Sequence, residues 1–96
     1  MTINPIRGDL INLEEALQEL HTIRDFLRWS VSLFNEHQVV QGHGYADAWD
    51  EAVALVLHAL HLPWDIDTRI QDARLLTSEK EAVCALLEKR VVERIP

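Results

Sequence analysis

The chain is poor in the residues that cross-link a fold or interrupt its elements: it has one cysteine, three glycines and three prolines. Because Cys84 is alone, no disulfide can form within the chain, which fits a reducing cytoplasm, where we expect the protein to reside. So few glycines and prolines predict few turns and long elements. No apolar run approaches the ~20 residues of a membrane span, and the first residues lack a signal-peptide pattern. We therefore expect no membrane contact.

The charge is mostly of one sign. Sixteen acidic residues stand against nine lysines and arginines, a formal net charge of -7 in 96 residues. A chain this acidic is repelled by nucleic acid as a whole and attracts basic proteins. Apolar residues make up 48% of the sequence, which excludes a disordered tail and suffices for one core. Residues 1–96 are therefore predicted to form a single domain without direct nucleic-acid contact.

The first amphipathic element is predicted to be one long helix. Asn12 can cap it, and Glu15 three residues later completes a capping-box pattern. Arg24 lies at the border of the apolar seam, so we expect its stem to be packed and its head group to be in water. The seam recurs at alternating steps of about four and three residues and carries the helix to about Glu36; its members are Leu13, Leu17, Leu20, Leu27, Val31 and Phe34.

A loop with the sequence "GHGYAD" leads to the second helix. Its two glycines allow the chain to reverse. Asp47 is expected to cap the helix, and the acids Asp50 and Glu51 in the first turn complement the helix dipole. On a helical wheel of residues 49–61 the polar side chains share one narrow arc. A helix apolar over most of its girth is predicted to be the central element of the domain.

Two more helices follow. The segment "LPWDID" ends the second helix, and Asp67 can cap a short helix through "TRIQDARLL". Ser78 and Glu81 form a capping-box pattern for the last helix, which runs toward Arg94. No alternating β-branched run flanked by turns predicts a strand. The predicted fold is all-α, a small bundle of about four helices, one of them short, with no sheet.

His43, between two glycines, is the first candidate for chemistry. A general base needs a partner that sets its tautomer, and Asp47 and Asp50 are near. Helix capping and the helix dipole already account for both acids, and the sequence has no Gly-x-Ser-x-Gly motif for a nucleophilic serine. We predict a structural role or a partner contact for His43, and no catalytic residue in the chain.

Histidines at a metal-ligand spacing form a second candidate. His58 and His61 share a helix face. A site needs at least one more ligand, and the neighbouring turn offers only Ala54. Two solvated histidines and no metal site are therefore expected.

The three tryptophans leave two interpretations open. Internal packing of all three is favoured, with Trp49 in the core. The alternative is a binding surface, because Trp64 follows a proline in a loop and Trp29 lies beside Arg28. Cys84 is interpreted as a small hydrophobic residue of a helix.

Three stretches of the chain resemble one family: "IRDFLRWSVSLF", "GHGYADAWDEAVALVLHALHLPWDI" and "DARLLTSEKEAVCALLEKRVVERIP". They are similar to the N-terminal helical domain of the bacterial glutamine methyltransferases that act on large-subunit ribosomal protein three, relatives of the release-factor glutamine methyltransferases. The resemblance runs from about residue 13 to residue 96. Its most distinctive pieces are residues 27–32, residues 42–44 with 49–52, and residues 93–96.

The resemblance implies that the parent enzyme transfers a methyl group from S-adenosylmethionine to the side-chain amide nitrogen of one glutamine. In this family a C-terminal Rossmann-like domain with an Asn-Pro-Pro-Tyr motif does that chemistry, and the motif is absent here. The chain stops where the family's linker begins, at Ile95 and Pro96. We expect an excised or truncated N-terminal domain with no catalytic and no cofactor-binding residue.

The resemblance also implies a role in docking the ribosomal protein beside the catalytic cleft. The candidate contacts, either with the ribosomal protein or with the catalytic domain of the same polypeptide, are Arg28, Trp29, His43 and Tyr45. The alternative is a stand-alone helical adaptor or oligomerisation module, which would pair with another chain through the apolar stripe of the first or last helix.

Overall fold

The computed structural model describes residues 10–42 and 44–94. Within these ranges there is no strand, and one isolated antiparallel bridge joins Thr22 to Arg74. The predicted all-α fold without a sheet is confirmed. No helix in this part of the chain has the length and apolar character needed to cross a membrane. The elements in chain order are α1 (Leu13–Glu19), α2 (Ile23–Glu36), α3 (Ala48–Ala59), a 3-10 helix (Thr68–Asp72) and α4 (Thr77–Glu93).

The prediction of one long first helix is wrong, because the chain breaks between α1 and α2. Leu20 has extended backbone angles (φ -98°, ψ 133°). Thr22 Oγ1 accepts a hydrogen bond from the Asp25 backbone N–H at 3.1 Å. In return the Asp25 carboxylate accepts from the backbone N–H groups of His21 and Thr22, at 2.8 and 3.0 Å. This capping box starts a new helix in the middle of the apolar seam.

A second cause of the break comes from the segment that precedes α4. Residues 73–75 cross the break in extended conformation. The backbone N–H of Ile23 donates to the carbonyl of Ala73 at 3.1 Å, and that of Leu75 donates to the carbonyl of His21 at 2.8 Å. These bonds satisfy backbone groups that a helix end leaves free. The break is thus fixed by a long-range contact as well as by a local cap.

The central element is α2 rather than α3, which corrects the prediction from the helical wheel. α2 packs against α3, α4 and the 3-10 helix, whereas α3 packs against α2 and α4. Trp49 of α3 remains 41% exposed, and Val53 is only partly buried. A wheel counts apolar residues, but a domain this small has no further layer to cover every side of α3. The α2 side chains that are buried are Ile23, Phe26, Leu27, Ser30, Leu33 and Phe34.

Three of the four predicted helix caps are confirmed, that of Asp67 among them, and one is wrong. The side chain of Asn12 accepts from the Glu15 N–H at 3.0 Å, and Asp47 accepts from the Asp50 N–H at 3.0 Å. The capping box predicted for α4 at Ser78 and Glu81 does not form, because α4 begins at Thr77. Instead, the carboxylate of Glu79 accepts from the backbone N–H of Leu76 at 2.8 Å, which starts the helix earlier than predicted.

The short helix between α3 and α4 is shorter than predicted. The Asp67 side chain accepts from the Arg69 N–H at 2.8 Å and so begins the 3-10 helix as expected. The helix ends at Asp72, because Ala73 turns to extended angles (φ -74°, ψ 143°) and pairs with the start of α2. Asp72 also forms an ion pair with Arg24, whose head group is exposed as predicted.

Candidate partner-binding site

The loop between α2 and α3 is anchored by an ion pair between α3 and α4. Arg90 Nε pairs with Glu51 Oε2, and Arg90 Nη2 lies 3.3 Å from Glu51 Oε1. The side chains are only 11% and 8% exposed. The same carboxylate accepts a hydrogen bond from the backbone N–H of Gly42 at 3.1 Å. One buried carboxylate therefore joins the loop, α3 and α4.

The guanidinium of Arg90 also holds the chain just before the loop. Its Nη2 donates to the carbonyl of Val40, and the Val40 N–H donates to the carbonyl of Arg94 at 2.7 Å. Arg90 Nη1 is buried and makes no hydrogen bond with any described residue. An unpaired buried donor costs roughly 1–3 kcal/mol. The other nitrogens of the same guanidinium bond to Glu51 and Val40.

The two glycines of the loop have different roles. A Cβ added to Gly42 would lie 3.2 and 3.3 Å from the Tyr45 ring, so a larger side chain would displace that ring. Gly44 has φ +94°, in the region that disfavours L side chains, with open space around it. His43 lies outside the described residues, so its predicted role stays a prediction. The glycines thus set the turn that presents Tyr45.

Tyr45, one of the predicted contacts, is 40% exposed and stands in a groove between α3 and α4. The groove has a volume of about 430 Å³, and its lining includes the apolar Leu55 and Leu86 and the polar His58 and Lys89. A lining that combines apolar side chains with groups of both charges suits a protein side chain more than a small molecule.

Arg28 and Trp29, the other predicted contacts, lie together on a separate cleft between α1 and α2. The cleft measures about 240 Å³, and the acids Glu15 and Glu19 also line it. Arg28 Nη1 donates to Ser32 Oγ at 3.0 Å, which extends the guanidinium along the helix surface. Trp29 packs edge-to-face on the buried ring of Phe26, with ring centroids 6.0 Å apart. The structure therefore brings these two contacts together but not with Tyr45.

The remaining titratable candidates show no catalytic arrangement. His58 and His61 are both exposed, and the described residues contain no group of three or more His, Cys, Asp or Glu side chains that could hold a metal ion. Cys84 is buried in α4, and burial together with Glu88 and Glu81 raises the pKa of its thiol to about 11. A thiol with so high a pKa is almost entirely protonated at neutral pH.

Internal packing of all three tryptophans, the favoured interpretation, is wrong. Trp64 is 86% exposed and Trp49 is 41% exposed, while Trp29 is partly buried. The sequence indicated that Trp64 is exposed, since a tryptophan that follows a proline outside a helix has little to pack against. The sequence did not indicate the buried ion pair of Glu51, because an acid in a first helix turn is explained equally well by the helix dipole.

Comparison with known proteins finds close relatives for most of the chain. It is 54% identical over 81 residues to the ribosomal protein uL3 glutamine methyltransferase of Xylella fastidiosa and 55% identical over 82 residues to that of Neisseria gonorrhoeae. The protein of that name from Bordetella pertussis is 53% identical over 79 residues. These matches cover 84%, 85% and 82% of this chain. No family model and no solved structure matches it.

The matched stretch is a minor part of each relative. The chain spans only about a quarter of their length, 26% for the Xylella and Bordetella proteins and 27% for the Neisseria protein. The resemblance seen in the sequence is thereby confirmed, for a helical portion and not for a whole enzyme. Over most of its length, this chain is a homologue of one part of the ribosomal protein uL3 glutamine methyltransferases.

Proposed function

We propose that this chain is the substrate-docking part of a methyltransferase that transfers a methyl group from S-adenosylmethionine to a glutamine side-chain amide of ribosomal protein uL3. We propose further that it precedes the catalytic domain and is not catalytic by itself. The observation that carries this proposal is the identity of about 54% to enzymes of that name, over 84% of the chain and 26% of the relative.

The inventory of reactive groups supports a role other than catalysis. The carboxylate of Glu51 is already occupied by Arg90 and by the Gly42 N–H. The thiol of Cys84 is buried and protonated. The described residues form no parallel sheet, whose carboxyl edge is the usual place for a nucleotide-like cofactor. Transfer of the methyl group is therefore assigned to polypeptide other than the part described.

The charge of the chain supports docking of a basic protein. With a net charge of -7, the surface attracts ribosomal proteins, which are basic because they bind RNA. Such complementarity accelerates encounter and fixes the register of the partner. If the protein substrate is recognised away from the reacting glutamine, a catalytic pocket that accepts any glutamine amide would still act on only one glutamine. Arg28, Trp29, His43 and Tyr45 are the proposed contacts.

Calorimetric titration of the isolated chain tests this proposal. We expect binding of purified uL3 that weakens by at least about tenfold between roughly 0.05 M and 0.5 M salt, because the ions screen exposed charges. We expect no heat from S-adenosylmethionine in the same cell. Binding of uL3 that does not change with salt would contradict electrostatic docking. Micromolar binding of S-adenosylmethionine would contradict the non-catalytic assignment.

One observation favours the alternative of a helical adaptor. Val92 on the outer side of α4 is 41% exposed and lines a shallow groove of about 270 Å³ with Ala85. Glu88, Lys89 and Glu93 also line this groove, and a helix of another chain could pair with such a mixed surface. Sedimentation velocity separates the two functions: the adaptor predicts dimers that the Val92→Glu variant abolishes, whereas the docking part predicts a monomer in both cases.

A further inference from the structure

Two tryptophans mark the ends of α3 on the outside of the domain. Trp49 in its first turn is 41% exposed, and Trp64, just after the helix, is 86% exposed. The exposed part of an indole keeps apolar surface in water and does not contribute to the core. Tryptophan is also the residue type most enriched among the energetic centres of protein interfaces. This surface is therefore better explained by binding than by folding.

Both tryptophans lie near Val53 of α3. Trp64 lines a small apolar notch of about 60 Å³ together with Val53 and Leu57 of α3. Trp49 precedes Val53 by four residues, so the two share a helix face. Ile70 of the 3-10 helix closes the other side of the notch. We call the surface formed by Trp49, Val53 and Trp64 the tryptophan face.

The segment that carries both tryptophans has acidic residues but no lysine or arginine. The sequence has no lysine or arginine between Arg28 and Arg69. Asp50 follows Trp49 directly and Asp65 follows Trp64 directly, and both are exposed. Asp67, also near Trp64, is already paired with Arg69 at 2.8 Å. Each tryptophan is thus followed in the sequence by an exposed carboxylate, and both carboxylates and indole rings attract cations.

We propose that the tryptophan face binds a basic segment of a protein partner, with arginine or lysine head groups beside the indoles and one small apolar side chain in the notch. The inference rests on the proposed function in one respect, because it takes the partner to be a basic protein such as uL3. It adds a surface that is distinct from the Arg28–Trp29 cleft and from the Tyr45 groove. It also assigns the contact chemistry, which is cation against indole and carboxylate.

The test uses the whole chain and a fluorescent synthetic peptide of alternating arginine and valine. A matched peptide carries citrulline, the uncharged analogue, in place of every arginine. We expect the arginine peptide to bind and the citrulline peptide to bind at least about tenfold more weakly. Trp64→Ala and Trp49→Ala should each weaken the arginine peptide by about tenfold or more, as removal of an aromatic interface centre does. Leu76→Ala, at a 67% exposed apolar residue elsewhere, should have no effect.

Circular dichroism of each variant shows whether it is folded, and Trp64→Ala is expected to be as stable as the parent because its side chain is 86% exposed. Equal binding by the parent chain and both tryptophan variants would overturn the proposal. Equal binding of the two peptides would overturn it as well. A dimer of the parent chain that Trp64→Ala dissociates would overturn it by assigning the face to a second copy.

Titration with uL3 separates this inference from the proposed function. If uL3 binds and the tryptophan variants bind it equally well, the proposed function stands and the inference fails. If uL3 does not bind but the arginine peptide binds through the tryptophans, the proposed function fails and the inference stands for another basic protein. If both ligands bind and both lose affinity in Trp64→Ala, the two proposals are supported together.

Discussion

Glu51 and Arg90 lie 39 positions apart in the sequence and form one nearly buried ion pair, with Arg90 Nη2 3.3 Å from Glu51 Oε1. The pair joins α3 to α4. In the preceding loop, the Gly42 N–H donates to Glu51 and the Val40 carbonyl accepts from Arg90. The loop that presents Tyr45 is therefore held by polar contacts as well as by the packing of Val39 in the core.

Removal of Glu51 should destabilise the domain far more than removal of its neighbour. Glu51→Ala leaves the Arg90 guanidinium buried without its counter-ion, so we expect a loss of about 2–4 kcal/mol in the free energy of unfolding. Asp50→Ala, in the same helix turn but exposed, should cost no more than about 0.5 kcal/mol. Urea denaturation of both variants measures the difference, and equal losses would contradict a structural role for the pair.

The double variant Glu51→Leu with Arg90→Met distinguishes the contribution of the ion pair to stability from the contributions of the two side chains by themselves. Replacing both charges by apolar groups removes the desolvation cost together with the attraction. We expect the double variant to be more stable than Glu51→Ala alone. Strict additivity of the single losses would show that the two residues do not interact.

The stability contributed by Asp25 should depend on pH in a defined direction. Hydrogen bonds from the backbone N–H groups of His21 and Thr22 lower the pKa of Asp25 below its ordinary 3.8. A carboxyl whose folded pKa is lowered contributes its full stability above the unfolded value, and loses it as pH falls through the folded value. Asp25→Ala should therefore cost about 1 kcal/mol near pH 7, and this difference should shrink well below pH 3.8.

Asp25→Asn serves as the control for that pH series, because an amide oxygen still accepts the two hydrogen bonds but does not titrate in this range. The free energy of unfolding is measured for the parent and both variants at a series of pH values. A parent-to-alanine difference that stays constant down to pH 2 would contradict a titrating cap at the start of α2.

The stability lost on replacing each loop glycine should change differently when Tyr45 is also replaced. Gly44→Ala should lower stability by about 1–2 kcal/mol, because its φ of +94° is unfavourable for alanine. Gly42→Ala is opposed by the Tyr45 ring instead. Addition of Tyr45→Ala should therefore recover stability in Gly42→Ala but not in Gly44→Ala. Thermal unfolding of the four variants gives the comparison, and recovery in both backgrounds would show that Tyr45 is not the obstacle.

Cys84 should be unreactive in the folded protein. Its thiol is 1% exposed, and its pKa is raised to about 11 by burial and then by Glu88 and Glu81. Reaction with a chromogenic disulfide at pH 8 should be at least about a hundredfold slower than in urea, since the thiolate is the reacting form. A variant with Ala82→Cys and Cys84→Ala, which moves the thiol to an exposed position of α4, should react quickly under both conditions. Fast reaction of the parent would contradict the burial.

The sequence predicts the helical class because apolar periodicity is a property of each segment alone. Asn12 and Asp47 cap as expected for the same reason: a cap needs only residues within one turn. The break at Thr22 was also encoded locally, by Thr22 and Asp25, but an apolar seam at helical spacing continues across it and favours an unbroken helix. The hydrogen bonds from residues 73–75 that complete the break depend on a distant segment, which local patterns do not report.

The candidate site shows the same division. Arg28 and Trp29 are adjacent in sequence, and the structure keeps them in one cleft. The environment of Glu51 could not be predicted, because an acid in a first turn is explained by the helix dipole until its partner in α4 is known. The exposure of Trp49 could not be predicted either, since helical periodicity shows which side chains share a face but not whether another element covers that face.

α1 contacts a helix that lies far from it in the sequence. α1 packs on α4, and the buried ammonium of Lys80 donates to the carbonyl of Leu17 at 3.0 Å. The first helix of the described chain therefore packs on the last one, through two residues that are 63 positions apart in the sequence. Amide hydrogen exchange in α1 and in the first turns of α4 should then proceed as one cooperative unit. A substitution that loosens α1 should therefore also lower the protection of the first turns of α4, although the two segments are far apart in the sequence.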